Sequence, residues 1–223
     1  AAYQGQGRFG GAAQHELRAV ASLIPEAVQL VVRADGPIKT VADLAGRRVD
    51  LGLPHSGTRA NAMAILAAHR LAPDSLQIVS GNTLAQATEL LVQGKIDALF
   101  TTVHAPARAL QRAAVRSRLA LIDILPTDAL RASGLVPLKL PARTYAGQAE
   151  PVQTLATTAL LVTRSDVPTK QVDTLLELLF EPASTPRGEG AAMAQINTST
   201  AREGVTIPFM PAAQTYLERH TKR

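Results

Sequence analysis

Hydrophobic positions along the chain fall into short continuous runs and into helically spaced stripes, and the two patterns alternate. The runs are bounded by Gly, Pro, Asn or Asp and predict buried strands. They cover residues 17–23, 28–33, 49–51, 76–79, 96–100, 119–124, 136–140 and 155–164. The stripes and their caps predict helices within 40–46 and 63–71, from Asn82 to Gly94, after Pro106, after Pro168, near 191–195 and from Pro211.

Two of these patterns make specific predictions about packing. The runs 17–23 and 28–33 are separated by Ile24, Pro25 and Glu26, and a proline cannot donate a ladder hydrogen bond, so we expect a corner there. Two stripes with helical spacing should face the core, and they comprise Met63, Leu66, Ala67 and Leu71 in one helix and Val172, Leu175, Leu176 and Leu179 in another.

Strands alternate with helices between residues 49 and 124, which predicts an α/β unit with a mainly parallel sheet. Ligands of such sheets bind outside the carboxyl ends of the strands. Two polar loops, 55–58 and 101–104, directly follow predicted strands. We therefore expect both loops to face the same crevice and to form a ligand site.

The turn between residue 52 and the following helix has the chemistry of an anion site. His55, Ser56, Gly57 and Thr58 bring hydroxyl groups and backbone N–H groups to a helix N-terminus, where the helix dipole favours negative charge. A bound carboxylate could accept from these groups. The alternative, equally open on this stretch alone, is that Ser56 or Thr58 only caps its own helix.

A P-loop is excluded at this turn. Gly52 and Gly57 have the glycine spacing of that motif, but the next two residues should be Lys and Ser or Thr. Here they are Thr58 and Arg59, so the turn lacks the lysine and hydroxyl that reach the terminal phosphates and magnesium, and nucleotide hydrolysis is rejected.

Composition narrows the class of protein. The chain has 223 residues, 46% of them hydrophobic and 18% charged, which is ordinary for a globular protein. No apolar run is long enough to span a membrane, and the absence of cysteine excludes disulfides and thiol catalysis. The net charge is +5, but the basic residues are scattered and aromatic residues are few, which argues against nucleic-acid binding.

Five further residues are candidates for ligand binding, each with a plain structural alternative. Arg59 could pair with a second carboxylate of a solute, or it could be a solvated surface residue. His104 could donate to an anion, Glu26 could hold an ammonium group, and Thr101 and Thr102 could add hydroxyl donors. Each of them could equally serve the local structure alone.

Catalytic and metal chemistry have little support in the sequence. No two histidines have metal-ligand spacing, so we expect neither a metal site nor a cofactor. Asp50 and Asp97 remain open as an acid/base pair, although no nucleophile–base motif accompanies them.

The chain resembles the extracytoplasmic solute-binding subunits of TRAP transporters, in particular the TAXI family. The order and spacing of seven segments carry this resemblance: AYQGQGRF, LRAVASLIPEAVQLVVR, IKTVADLAGRRVDLGLPHSGT, GKIDALF, PARTYAGQ, ALLVTRSDVP and VTIPF. It implies a type II periplasmic-binding-protein fold, in which two α/β lobes close on a small solute with a carboxylate, such as glutamate or a 2-oxo acid. It also implies a periplasmic location, a TRAP membrane permease as partner, and a monomer at full length.

Carried onto this chain, the family's Gly-Ser-Gly-Thr turn corresponds to residues 55–58, and its Tyr-Pro-Glu corner corresponds to residues 24–26. His55 therefore replaces a glycine and Ile24 a tyrosine, which leaves the solute open. The first lobe is expected to hold 1–34 and 154–223, and the second 35–153. The resemblance begins inside a family segment, so we expect an incomplete first lobe, weak solute binding and self-association.

Two other classes of protein remain open on the sequence. One is an α/β enzyme that acts on a carboxylated or phosphorylated metabolite and uses the same turn to hold the anion. The other is a ligand-sensing module of a signalling protein. Turnover of a candidate substrate would favour the enzyme, and a neighbouring gene for a TRAP permease would favour the transport function.

Overall fold

The computed structural model describes residues 2–6, 9–181 and 196–220, so the helix predicted near 191–195 lies outside the described residues. The strands are β1 (Leu17–Arg33), β2 (Arg48–Asp50), β3 (Gln77–Val79), β4 (Ala98–Val103), β5 (Leu119–Ile122), β6 (Val136–Leu140) and β7 (Val152–Arg164). The helices are α1 (Gly57–Ala68), α2 (Leu84–Val92), α3 (Arg108–Arg116), α4 (Asp128–Ala132), α5 (Thr169–Phe180) and α6 (Pro211–His220). Short 3-10 turns in the described residues cover Ala2–Gln4, Val41–Leu44 and Pro73–Ser75.

The strands of the described residues form a seven-stranded mixed sheet, which confirms the predicted α/β class. Its order is β3-β2-β4-β1-β7-β6, and β5 pairs with β1. β2 is parallel to β3 and β4, as the βαβ pattern predicts. The parallel sheet predicted between residues 49 and 124 is thus confirmed for β2, β3 and β4. The antiparallel pairs, β1 with β4 and β5 and β6 with β7, each include a strand outside that stretch.

The chain divides into two compact units, which we call unit 1 (residues 1–25 and 158–223) and unit 2 (residues 26–157). The chain crosses between them inside β1 and inside β7. The lobe boundaries expected from the sequence, near Asp35 and Gln153, stay a prediction.

β1 is one continuous strand of 17 residues, and the predicted corner at Pro25 is wrong. The ladder with β4 begins at Ala27, so the missing N–H of Pro25 removes no hydrogen bond from it. Pro25 is also exposed, at the position where the strand leaves unit 1. A proline is therefore tolerated within this strand.

The sheet of unit 2 is buried on both faces. Val28, Leu30 and Phe100 pack with α1 and α4 on one face, which we call the α1 face. Val31, Leu99 and Tyr145 pack with α2 and α3 on the other, the α3 face. The stripe predicted for α1 is only partly right, because Ala62, Ile65 and Leu66 are buried whereas Ala67 is exposed. The two remaining stripe residues, Met63 and Leu71, pack at the edge of this cluster.

Unit 1 is built on the first half of β1. Ala19 donates to the carbonyl of Pro208 and accepts from the amide of Met210, and α5 and α6 pack over this strand. The stripe predicted for α5 holds at Val172 and Leu176, which are buried. It fails at Leu175, which is 39% exposed, because the neighbouring α6 covers a narrower face of α5 than the four apolar residues span.

In the described parts of the chain, no helix is both long and apolar enough to cross a lipid bilayer.

Candidate functional site

The turn between β2 and α1 is held from both ends by side chains of unit 2. Asp50, 1% exposed at the end of β2, accepts from the backbone N–H of Gly52 at 2.7 Å and from Nδ2 of Asn82 at 2.7 Å. Gly52 has φ +83°, and a Cβ there would lie 2.8 Å from Cγ2 of Thr58. Only glycine therefore lets the chain turn this close to Thr58.

Both hydroxyl groups of the turn have a structural role in the chain itself. Ser56 caps α1, because its Oγ accepts from the backbone N–H of Arg59 at 3.1 Å. Oγ1 of Thr58 accepts from the backbone N–H of Thr102 at 3.0 Å. Each hydroxyl uses a lone pair in these bonds, and its hydrogen remains able to donate to a ligand.

β4 extends further than the sequence predicts. Thr101 and Thr102 belong to the strand and not to a loop, because the pairing with β1 continues to Ala27 and Val103. The two threonines consequently point to opposite faces of the sheet. Thr102 lies on the α1 face and accepts from Nδ2 of Asn61 at 3.1 Å, whereas Thr101 is 5% exposed beside the α3 face.

His104 and Glu26 are neighbours on the α1 face. Continuing the register from Ala27 and Val103 by one residue places them opposite each other. Burial raises the pKa of the Glu26 carboxyl, and the nearby His104 lowers it in turn. Among the described residues, neither ring nitrogen of His104 has a hydrogen-bond partner, although both are buried.

The remaining predicted site residues lie at the start of α1. Gly57 is the first residue of the helix, and His55 is exposed before it with φ +62°. Nη1 of Arg59 is buried and has no partner among the residues that the structure describes. Buried donors without a partner are costly, so His104 and Arg59 are positions where a ligand could supply the missing acceptor.

The structure thus brings together most of the predicted site, and this group of residues is called the α1-face cluster below. Its members share the α1 face of β1 and β4 or the first turns of α1, and they are Glu26, Ser56, Gly57, Thr58, Arg59, Asn61, Thr102 and His104. The cluster combines a helix N-terminus, hydroxyl donors and cationic side chains, which suits a small anion. Thr101 lies on the other face.

Several residues near the cluster carry roles that the sequence analysis does not assign. Asn61 donates to the hydroxyl of Thr102. On the other face of the sheet, the Tyr145 hydroxyl donates to Gln29, which in turn donates to the carbonyl of Val103 at the end of β4. Asn82 does not cap α2 as predicted, because Thr83 caps it and Asn82 bonds Asp50. Of these residues, only Asn82 has a feature in the sequence that points to this role, because it lies just after a predicted strand.

Asp50 and Asp97 have separate structural partners, which weakens their interpretation as an acid/base pair. Asp97 forms a bidentate ion pair with Arg48, with distances of 2.7 and 3.1 Å, and also accepts from the backbone N–H of Arg48. The hydrogen bonds from Arg48 lower the pKa of Asp97. Asp50 holds the turn at Gly52, as described above.

A separate groove of about 590 Å³ lies in unit 1 between α5 and α6. Its walls include Asp173, Glu177 and Tyr216. Burial and the negative charges of Glu181 and Glu177 raise the pKa of Tyr216. Among the described residues, none of the groove's polar side-chain atoms is buried without a hydrogen-bond partner, unlike those of His104 and Arg59. Within the residues that the structure describes, no three His, Asp or Glu side chains are arranged to hold a metal ion.

The fold is a mixed-sheet α/β fold of two compact units with a polar cluster at a helix N-terminus. A family profile described as the NMT1-like family matches residues 1–219. The chain therefore belongs to the NMT1-like family.

Solved structures that this chain matches include several binding proteins. One is the periplasmic aliphatic sulphonate binding protein SsuA from Escherichia coli, with a TM-score of 0.48, 16% identity and coverage of 92% of this chain. Others are the arginine-, lysine-, histidine-binding protein ArtJ from Geobacillus stearothermophilus (TM-score 0.43, 15% identity, 73% of this chain and 56% of that one) and a periplasmic binding protein from Brucella ovis with glutathione bound (TM-score 0.44, 10% identity, 79% and 44%). The chain spans 60% of the length of the SsuA chain.

Proposed function

We propose that this protein is an extracytoplasmic solute-binding protein of a membrane transporter and not an enzyme. In this proposal it has the two-lobe architecture of type II periplasmic binding proteins, and its α1-face cluster binds a small anionic solute. The observation that carries the proposal is His104, whose two ring nitrogens are buried without a partner next to a helix N-terminus rich in donors. Membership in the NMT1-like family and the resemblance to solute-binding subunits support it.

The chemistry of the cluster favours a carboxylate. One carboxylate has two oxygens and about four lone-pair sites, which suit the hydroxyls of Ser56 and Thr58 and the imidazole of His104. Nη1 of Arg59 would serve a second carboxylate. Glutamate and 2-oxo acids are therefore the solutes that we propose, with a TRAP permease of the TAXI type as the membrane partner and the periplasm as the location.

A ligand screen on the wild-type protein tests this proposal. Thermal shift with dicarboxylates, 2-oxo acids, amino acids and short sulphonates should raise the melting temperature for acidic solutes, since a ligand that binds only the folded state stabilises it. Mass spectrometry should show the bound solute unchanged after incubation. Binding restricted to cationic or neutral solutes would contradict the proposal, and conversion of the solute would favour an enzyme.

Replacing Glu26 distinguishes an amino acid from a 2-oxo acid. Glutamate and 2-oxoglutarate share both carboxylates, but only glutamate has an ammonium group for Glu26 to accept from. We expect Glu26→Gln to weaken glutamate binding by about tenfold or more in calorimetry and to leave 2-oxoglutarate binding within about threefold.

The stability of the same variant provides its control. Burial raises the folded-state pKa of Glu26 above its unfolded value. The ionised carboxylate is therefore destabilising once the pH rises through that pKa, and Glu26→Gln should melt at a slightly higher temperature at pH 7 but not at pH 4. Equal loss of affinity for both solutes would show that Glu26 does not discriminate an ammonium group.

The pH dependence of solute binding tests His104. Histidine side chains gain their positive charge between pH 8 and 5, so an anion that contacts this imidazole should bind more tightly as the pH falls. We expect affinity for a dicarboxylate to rise about three- to tenfold from pH 7.5 to pH 6, and His104→Gln to abolish this rise. A matched control is His69→Gln, because His69 lies at the C-terminal end of α1 and should leave the trend intact. The same trend in His104→Gln would remove His104 from the site.

A further inference from the structure

The loop that carries His104 is held at both ends by buried side chains from the opposite face of the sheet. This loop, residues 104–107, connects β4 to α3 and contains a cis peptide bond between Ala105 and Pro106. At its start, Nε2 of Gln29 donates to the carbonyl of Val103 at 3.4 Å. At its end, the hydroxyl of Tyr145 accepts from the backbone N–H of Ala107 at 2.9 Å.

The two side chains that hold the loop, Gln29 and Tyr145, are hydrogen-bonded to each other. The Tyr145 hydroxyl donates to Oε1 of Gln29 at 2.6 Å, so one hydroxyl group links the end of the loop to β1. Gln29 is 1% exposed and Tyr145 is 7% exposed. Burial raises the pKa of Tyr145, so its hydroxyl keeps its proton and remains a donor. A buried hydrogen-bond network of this kind restricts the arrangements open to its members.

The segment around Tyr145 is itself braced to present this hydroxyl. Gln148 donates through Nε2 to the carbonyls of Pro141 and Glu150, and its Oε1 accepts from the backbone N–H of Tyr145. Arg143 closes the same loop by donating its backbone N–H to the carbonyl of Gln148. Apart from Glu150, these residues belong to the segment PARTYAGQ (141–148), which the candidate site does not otherwise include.

We infer that Tyr145, together with Gln29, is a positioning pair that sets His104 for solute binding on the α1 face, although neither side chain lies on that face. The inference rests on the proposed function of the α1-face cluster. The physical reason is that His104 has no hydrogen bond of its own to fix its ring among the described residues. Its orientation therefore depends on the backbone of residues 103–107, which the pair holds at both ends.

Tyr145→Phe removes one oxygen atom and keeps the ring that packs in the α3-face core. Solute affinity is expected to fall about three- to tenfold, since loosening His104 weakens a hydrogen bond to charge without abolishing it. The increase in affinity from pH 7.5 to pH 6 should shrink as well. The groups near His104 that also titrate or carry charge are Glu26 on β1 and Arg59 on α1, and neither is changed in this variant.

Hydrogen exchange measures how well the backbone of the loop is protected, and it needs no solute. In Tyr145→Phe the amide of Ala107 should exchange at least about tenfold faster, while amides within α2 keep their wild-type protection. Thr127→Ala is the stability control, because it removes the N-cap of α4 at a cost of about 1 kcal/mol, and the Thr127 hydroxyl accepts from the backbone N–H of Leu130 and not from the loop. It should leave both the Ala107 exchange ratio and the pH trend unchanged.

A double variant separates positioning from stability. In Tyr145→Phe with Gln29→Leu, the amide oxygen that Tyr145→Phe leaves without a donor is gone, so part of the lost stability should return. If the pair positions His104, affinity and pH trend stay low in the double variant, whereas a purely structural role would restore both together with the melting temperature. If the wild type binds an acidic solute and Tyr145→Phe binds it with the same affinity and pH trend, this inference is overturned and the proposed function stands. Absence of acidic-solute binding by the wild type would overturn the proposed function and this inference with it.

Discussion

The double variant Ser56→Ala with Thr58→Val is expected to bind its solute about ten-fold to a thousand-fold more weakly than the wild type. Each hydroxyl already accepts a hydrogen bond within the chain, from Arg59 and from Thr102, and keeps its hydrogen for the solute. A hydrogen bond to a charged group contributes about 1.5–3 kcal/mol, and two lost bonds give this range once water partly replaces them. Isothermal titration calorimetry measures the effect directly.

The effect of losing the Ser56 N-cap on stability must be separated from the effect of losing its hydroxyl donor on solute affinity. Ser56→Ala costs the N-cap of α1, about 1 kcal/mol of stability, whatever its effect on the solute. Ser56→Asp is the matched control, because aspartate caps a helix as well as serine but brings a negative charge to the turn. It should melt like the wild type and still fail to bind an anion. An unchanged affinity in the double variant would exclude the turn from the site.

Gly52→Ala is expected to destabilise the protein by about 2–4 kcal/mol and to impair solute binding at the same time. Any residue with a Cβ is strained at φ +83°, and here the added atom would also lie 2.8 Å from Cγ2 of Thr58. Relief of this contact must move Thr58, whose hydroxyl is fixed to β4 through Thr102. Chemical denaturation and calorimetry on the same sample report both effects.

Gly57→Ala is the control for this prediction. A Cβ at Gly57 would have no neighbouring atom within 4 Å, and the residue lies in α1, so alanine should be neutral or slightly stabilising. Adding Thr58→Ser to Gly52→Ala removes the methyl group that the new Cβ meets and should recover part of the stability. If Gly52→Ala and Gly57→Ala behave alike, the close approach to Thr58 is not what requires glycine at position 52.

Local patterns in the sequence predict the elements of the fold well where the determining residues are neighbours. The strand Val136–Leu140 is found with its predicted limits, and β2, β3 and β4 are parallel as the alternation with α1 and α2 indicates. The helical piece predicted within 40–46 is also found, as the 3-10 turn Val41–Leu44 with Thr40 at its N-cap. These features depend on residues within one turn or one strand, which is the range over which periodicity and capping act.

Errors arise where the partner of a segment is distant in sequence. Nothing around Pro25 reveals that β4 begins to pair only at Ala27, and nothing around Thr101 reveals that β1 extends β4 to Val103. The sequence consequently predicts a corner in one case and a loop in the other. The antiparallel pairing of β1 with β4 and β5 is likewise invisible in the local sequence, because it depends on which distant strands meet.

The same distinction between local and long-range features applies to the candidate site. The turn at residues 55–58 is recognisable because hydroxyls, glycine and a helix start occur together within a few residues. The positions of Glu26 and His104 opposite each other depend on the register of β1 and β4, and the bond from Tyr145 to Gln29 joins residues 116 positions apart. No local pattern contains that information.

The division of β1 between the two units has a consequence for how the protein forms during synthesis. Unit 2 is a single uninterrupted stretch of chain, so it can complete its sheet as soon as residue 157 has left the ribosome. Ala19, in contrast, bonds to Pro208 and Met210, the nearer of which is 189 residues later in the chain. At roughly 5–20 residues per second, the first half of β1 waits roughly 10–40 s for these partners. During that interval its unpaired edge is the part of the nascent protein that a chaperone, or a second nascent chain, would encounter first.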